Sequence, residues 1–336
     1  MRARSLCSAA AVLLVLGCAN AGETRLTTVE ATGVVRGFVY FDQNGNRLID
    51  AADDSVQGIT VRLLTQGTGD TVASASSDVH GFYRMANVPV GRYRLVADTA
   101  TLLDTAIVIQ QDSTTTSVLP FDSIQLNIGI SWPHVSVDSA RALPPGRRVF
   151  IAGIALHGPN NFRDTTMHVQ DGTAGIRMTR VLATPVAAGD SIRARGTTAR
   201  RQVSPTVSQP TLDNVTVFII TPRFLPTATP LTTLEAAGAA GGTRDAQQVQ
   251  LLDAQVTDTD TVASGDYVMT VNDGSGPIEV LLDLVNPSNF GVPPGTCGGP
   301  CWIVGNTFDI VGIMVPTGTA GIWRLKPRSQ AELVKQ

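Results

Sequence analysis

The chain has 336 residues, 43% of them hydrophobic and only 16% charged, with a formal net charge of −3. That composition excludes a disordered chain, whose few apolar residues could not offset the entropy of folding. The overall charge is small, so charge is informative only where it clusters.

Arg2 and Arg4 open the chain, and residues 6–16 form an apolar run. The run is too short for a helix to span a bilayer of ~30 Å. Val15-Leu16-Gly17-Cys18 follows. An aliphatic run, a small residue and then a cysteine resemble a bacterial lipoprotein signal. The resemblance implies a signal peptide over 1–17, thioether lipidation of Cys18 and export to a membrane face, periplasmic or cell-surface. The alternative is an ordinary secretory signal cleaved near Ala21. More than one acyl chain on Cys18 would make membrane anchoring stable. Residues 18–32 then read as a tether.

Beyond the signal, long helical periodicity is almost absent. Short alternating runs recur between Gly, Asn and Pro turns, as at 34–41, 60–64, 93–96, 149–154 and 308–313. That spacing predicts an all-β chain, and its length predicts more than one domain.

The first predicted domain spans 33–130. After its first strand comes "DQNGNRLIDAAD", which places oxygen donors at loop positions 1, 3, 5, 9 and 12: Asp42, Asn44, Asn46, Asp50 and Asp53. The carbonyl of Leu48 falls at position 7. This is the register of an EF-hand-like calcium loop, and calcium takes six to eight oxygens. Two departures stand out: Arg47 occupies position 6, where such loops carry Gly, and Asp53 replaces the usual bidentate Glu. Gly45 is expected to make the turn instead. A polar hairpin loop built on Asn-Gly-Asn is the alternative. Three carboxylates held close would repel, so the calcium-free loop is expected to be loose. Replacing Asp42 and Asp50 by Ala is then expected to cost the calcium-free fold little.

The residues that carry a wider pattern are Gly37, Val39, Asp42, Asn44, Asn46, Asp50, Gly58, Val61 and Leu63, then Asp78, Gly81, Tyr83, Val88, Gly91, Tyr93 and Leu95. The stretch resembles the B-type repeat of serine-aspartate-repeat surface adhesins. It is also similar to the wider prealbumin-like family that includes carboxypeptidase regulatory domains. The resemblance implies an Ig-like, prealbumin-like β-sandwich of seven strands with calcium after the first. Tyr83 and Tyr93 sit in alternating strands and are expected to bury their rings.

From residue 131 the character changes. "MHVQDGTAGIRM" at 167–178 lines up with "MTVNDGSGPIEV" at 269–280. Each copy continues into Gly, a polar residue and a strand expected to end at Gly: "GDSIRARG" up to Gly196 and "GNTFDIVG" up to Gly312. A repeat of this size means duplicated domains, here 131–225 and 226–336. Asp171-Gly172 and Asp273-Gly274 read as hairpin turns. The pattern, with the closing "WRLKPRSQAEL", resembles OB-fold domains that accompany extracellular bacterial nucleases and occur in exported lipoproteins. The fold expected overall is an all-β sandwich followed by two OB-like barrels. The second copy carries an insert with Cys297 and Cys301, whose Gly-Gly-Pro spacer permits a disulfide in an oxidising compartment. Half a metal site is the alternative.

Residues 131–225 hold eleven Lys and Arg against five Asp and Glu, while residues 226–336 hold five against eleven. The oppositely charged barrels are candidates for docking on each other. The basic run "RARGTTARR", with Arg193, Arg195, Arg200 and Arg201, is the candidate nucleic-acid patch. A solvated strand face is the plainer reading, because few exposed aromatics accompany it. His157 and His168 are placed to approach across a hairpin. No G-x-S-x-G, P-loop or H-E-x-x-H occurs. Function therefore reads as a membrane-anchored, non-catalytic surface binding or adhesion module with an unknown protein, glycan or single-stranded nucleic-acid ligand. The alternatives are a nucleic-acid-binding accessory protein, or carbohydrate binding by the sandwich through analogy of fold.

Overall fold

The computed structural model describes residues 31–102, 106–111, 115–162, 164–181, 185–261, 266–283, 290 and 302–336, without the side chains of 110, 111, 219 and 220. Cys18, Cys297 and Cys301 lie outside the described residues, and with them the expected signal peptide, lipid anchor and disulfide.

Ten strands come first: β1 (Thr32–Phe41), β2 (Asp54–Ser55), β3 (Thr60–Thr65), β4 (Thr71–Ser76), β5 (Phe82–Pro89), β6 (Gly91–Ala97), β7 (Ile107–Gln111), β8 (Thr116–Val118), β9 (Ser123–Gln125) and β10 (Ile128–Ser131). They build a sheet of six around β1 and a sheet of four, β4-β3-β6-β8. Alternation sets the faces. Val35 and Val39 of β1 point inward and Arg36 points out. Across the gap, Val61, Leu63, Tyr93 and Leu95 meet them in one apolar core. Tyr83 and Tyr93 are buried, as expected from the alternation, and the Tyr83 hydroxyl donates to the Leu126 carbonyl at 2.6 Å. The strand count exceeds seven for a physical reason. β1 changes partners along its length, pairing β5 and β9 with its first half and β10 and β2 with its last residues, so short ladders multiply.

A helix, α1 (Val137–Ala142), precedes β11 (Arg148–Ala155), β12 (Met167–Gln170), β13 (Gly175–Met178), β14 (Asp190–Ser204) and β15 (Val207–Pro222). These five strands close into a barrel in the order β11-β12-β13-β15-β14. After β16 (Thr229–Pro230) the pattern repeats. Helix α2 (Thr233–Ala237) precedes β17 (Gln248–Thr261), β18 (Tyr267–Asn272), β19 (Ile278–Leu282), β20 (Thr307–Pro316), β21 (Trp323–Lys326) and β22 (Leu333–Lys335). The β17–β20 ladder closes five of these strands in the matching order β17-β18-β19-β21-β20. In both rings the third and fifth strands run parallel, with Arg177 opposite Thr211 in the first and Val280 opposite Leu325 in the second. This is the connectivity of the five-stranded Greek-key OB barrel. The chain is thus all-β, a sandwich followed by two OB-like barrels.

The fourth strand of each ring does not end at its glycine. β14 passes through Gly196 and β20 through Gly312. A Cβ at Gly196 would lie 2.6 Å from Leu212 Cγ, and one at Gly312 would lie 2.8 Å from Leu325 Cγ. The glycines let a coiling strand pass close to the fifth strand, and β14 carries a bulge there.

The two short helices were not legible in the strand pattern. Ser136 caps α1 and Thr232 caps α2, the latter in a capping box with Glu235. Val137 and Ala140 pack into the first barrel core, and Ala236 into the second.

Candidate cation loop and its seat on the first barrel

The loop 42–53 hangs between β1 and β2. Its first residue, Asp42, is fully buried. The backbone explains why: Asp42 N–H continues the β1–β10 ladder to Ile130 O at 2.9 Å. Its carboxylate then organises the turn. Oδ1 accepts from the N–H groups of Gly45 at 2.6 Å and Asn46 at 3.2 Å, and Oδ2 accepts from Arg47 at 2.8 Å. Both Gly45 (φ 69°) and Arg47 (φ 65°) are left-handed. The sharp turn is therefore shared, not made at Gly45 alone. A non-glycine residue there costs about 1–2 kcal/mol, which the bond to Asp42 offsets.

The remaining donors repeat one device, a side-chain oxygen accepting from the N–H two residues on. Asn44 Oδ1 takes Asn46 N–H at 2.8 Å, Asn46 Oδ1 takes Leu48 N–H at 2.7 Å, and Asp50 Oδ1 takes Ala52 N–H at 2.8 Å. The side-chain amides of Asn44 and Asn46 both donate to Asp50 Oδ2, at 3.1 and 2.7 Å. Asp53 closes the loop by accepting from Gln43 and Asp50 N–H at 3.1 and 3.0 Å. The N–H of Ala52, then the amides of Asn44 and Asn46, hold the Asp50 carboxyl below its ordinary range. Burial pushes Asp53 up, and the charges of Asp50 and Asp42 add to this.

Backbone and side-chain N–H groups thus partner every carboxylate of the loop. Asp42 is a buried structural acceptor, so its loss cannot be neutral. As a donor set the loop fits a hard cation, since six oxygens of Asp42, Asn44, Asn46, Leu48, Asp50 and Asp53 fall within twelve residues, and Asp42 Oδ2, Asp50 Oδ1, both Asp53 oxygens and the Oδ1 atoms of Asn44 and Asn46 each accept a single bond and keep a second lone pair. In the conformation held here, no three His, Cys, Asp or Glu side chains converge as a metal site among the described residues.

The four arginines read together in sequence are split by the fold. Arg193 Nη1 donates to Asn44 O at 3.2 Å and also to Gly45 O. Arg195 Nη1 donates to Gln43 O at 3.0 Å and to the Gln43 side chain. The Arg195 guanidinium also lies 5.2 Å from the Trp132 ring centre and 5.8 Å from that of Phe218. Trp132 in turn packs edge-on against Phe41, with ring centres 4.8 Å apart. The loop is therefore seated on β14. Arg200 and Arg201 lie further along the same strand and are exposed.

The two barrels also pack on each other, through hydrogen bonds most of which have one charged partner. Asp245, nearly fully buried, accepts from Arg141 at 3.1 Å, Gln209 at 3.0 Å and the Trp323 indole at 3.2 Å. Arg328 reaches Leu156 O at 2.7 Å, and Gln170 Oε1 accepts from Gln248 N–H at 2.9 Å. A Cβ at Gly175 would sit 2.1 Å from Ala246 O, so glycine is required by the approach of the barrels. Arg141–Asp245 is the one ion pair across this seam among the described residues. Net charge of opposite sign does not by itself set the contact.

His157 and His168 do meet. His157 Nε2 lies 2.8 Å from His168 Nδ1, and both are buried. Burial pushes His157 down to about 4 and His168 well below its ordinary range, so the pair is neutral at pH 7. Asp171 and Asp273 hold more than a turn. They accept from the first helical N–H groups, Val137 at 2.9 Å and Thr233 at 3.0 Å, and so pin each helix to its hairpin. At Asp273 burial opposes ionisation, but bonds from Ser275 and Thr233 outweigh it and hold the carboxyl well below its usual range. The signal was present in sequence as the repeated Asp-Gly, but its helical partner was not.

Residues 34–123 match the family described as the SdrD B-like domain. No curated protein matches the chain. Among solved structures the chain is similar to GBS52, the minor pilin of Streptococcus agalactiae, at 11% identity and a TM-score of 0.25, over 30% of this chain and 45% of the pilin. It is similar to BcpA, the major pilin subunit of Bacillus cereus, at 8% identity and a TM-score of 0.25, over 88% of this chain and 92% of that one. A murine DNA-binding protein bound with double-stranded DNA is similar at 13% identity and a TM-score of 0.29, over 56% of this chain and 96% of that one. The chain spans less than half of the first pilin, and scores this low carry no argument about function.

Proposed function

We propose that the chain is an exported, lipid-anchored surface module that binds a partner without catalysis, with calcium in the loop 42–53. The observation that carries this reading is the SdrD B-like match over 34–123, since it coincides with the loop of oxygen donors. The lipoprotein-like run ending in Cys18 supports the anchor. The seating of the loop on β14 through Arg193 and Arg195 supports a further role: a cation there would stiffen the junction between sandwich and barrel.

The test uses the whole chain with its own leader. Palmitate labelling is expected, and Cys18→Ala is expected to abolish it. The mature protein is then screened against immobilised proteins, glycans and single-stranded DNA, with calcium and with chelator. Calcium-dependent capture by a protein or glycan supports the reading. Binding to single-stranded DNA alone would overturn it in favour of a nucleic-acid accessory role, which now rests on Arg200 and Arg201 rather than on four arginines.

A further inference from the structure

Between the barrels lies a cleft of about 290 Å³. Its walls include His168 of β12, Arg177 of β13, Arg201 and Gln209 of the β14–β15 hairpin, and Arg324 and Lys326 of β21. Both barrels therefore contribute. Four of these six side chains are cationic, and the one acid among the lining residues is Asp164. Arg177 and Arg324 sit 3.7 Å from Asp164 and Glu279, whose carboxylates are 41% and 50% exposed. Pairs this long and wet are worth little. Lys326 is matched by the buried Asp283 at 2.8 Å, while Arg201 forms no ion pair among the described residues.

Three buried polar atoms of these walls have no hydrogen-bond partner among the described residues: His168 Nε2, Gln209 Oε1 and Arg324 Nε. Buried polar groups are otherwise almost always partnered. The direction of each is fixed by its neighbours. His157 Nδ1 faces the Gly158 carbonyl at 2.9 Å and must carry a proton. Its Nε2 is then a lone pair, so the proton of the bond between the rings belongs to His168 Nδ1. His168 Nε2 is left as a bare acceptor. Gln209 Nε2 donates to the Asp245 carboxylate, which makes Oε1 an acceptor as well. The cleft thus offers strong cationic donors together with two unfilled acceptors.

We propose that this cleft binds a phosphate group that keeps a hydrogen of its own, as in hydrogen phosphate or a protonated phosphate monoester. Its bare oxygens would take the donors of Arg177, Arg201 and Arg324, and its O–H would fill the acceptor on His168 or Gln209. Sulfate and a phosphodiester strand carry the negative oxygens but no acidic hydrogen, so they leave the acceptors unmet. Leaving a buried acceptor unpaired is what makes such discrimination strong.

The probe is inorganic phosphate, titrated calorimetrically at pH 7 into the mature whole chain, against sulfate at matched ionic strength. Phosphate is expected to bind at least about tenfold more tightly than sulfate. Arg201→Ala and Arg324→Gln are each expected to weaken it by about tenfold or more. Arg201 is exposed and unpaired, so this variant should keep the wild-type melting temperature, which is measured alongside. No phosphate binding, equal affinity for sulfate, or full affinity in both variants would overturn the proposal. So would an oligonucleotide whose binding needs Arg201 and Arg324 in a chain that ignores phosphate.

Discussion

Replacing Asp42 by Ala tests the loop most directly. The carboxylate accepts three backbone N–H bonds from inside the sandwich. Hydrogen bonds to a charged group contribute about 1.5–3 kcal/mol each. They do not all count in full. Asn46 and Arg47 are exposed, so their N–H groups can turn to water once the acceptor is gone. Gly45 is buried, and its N–H would be left unpaired. One lost bond with a stranded donor, plus two partly rehydrated ones, gives about 2–4 kcal/mol. For a domain of about 100 residues this lowers the melting temperature by roughly 10–25 °C. The loss should appear in EDTA, because it does not depend on a cation. The assay is differential scanning calorimetry of the whole chain with chelator, with hydrogen exchange of the Gly45 amide as the local readout. Asp50→Ala is the contrast. Asp50 is exposed and bonds within the loop, so in EDTA its loss should leave the melting temperature close to that of the wild type while abolishing any calcium-induced rise. An Asp42→Ala chain that melts with the wild type in EDTA, with unchanged Gly45 exchange, would refute the reasoning.

Three further outcomes are expected. Arg195→Ala removes two bonds to Gln43 and a guanidinium lying over Trp132, so it should loosen the sandwich from the barrel by about 1–3 kcal/mol; limited proteolysis should then cut faster near residues 131–136, and an unchanged rate argues against a seated loop. Asp53 has a folded pKa raised above its unfolded value, so it contributes stability that is fully present below the unfolded pKa and lost as pH rises through the folded one. Calcium favours the carboxylate and offsets that loss, so the calcium-induced rise in melting temperature should grow between about pH 4 and pH 7, and a rise independent of pH would contradict the Asp53 ligand. Asp245→Ala strands Arg141, Gln209 and Trp323 at the seam and should destabilise by about 3–5 kcal/mol, seen as separation of the two barrel transitions in calorimetry; a single unshifted transition would mean the seam does not couple the barrels.

The sequence by itself determined the fold class and much of its order. Alternation has a period of two and needs only neighbours, so β1, β3 and β6 could be read residue by residue from Val35, Val61 and Leu95. The duplication was legible because both copies face the same packing demands, down to Gly196 and Gly312 beneath a leucine. The loop 42–53 was legible for a related reason: its bonds link residues two to ten apart. Local order, however, hid what Asp42 does, since its burial comes from β10, almost ninety residues on. The tertiary structure alone decided which charges are free. Arg193 and Arg201 look alike in "RARGTTARR", yet β14 is long enough to set one against the sandwich loop and the other in the seam between barrels. His168, Gln209 and Arg324 are scattered over more than 150 positions of the chain. Nothing in their neighbours marks them, because an unfilled hydrogen bond is a property of the space around an atom and not of the residue that carries it.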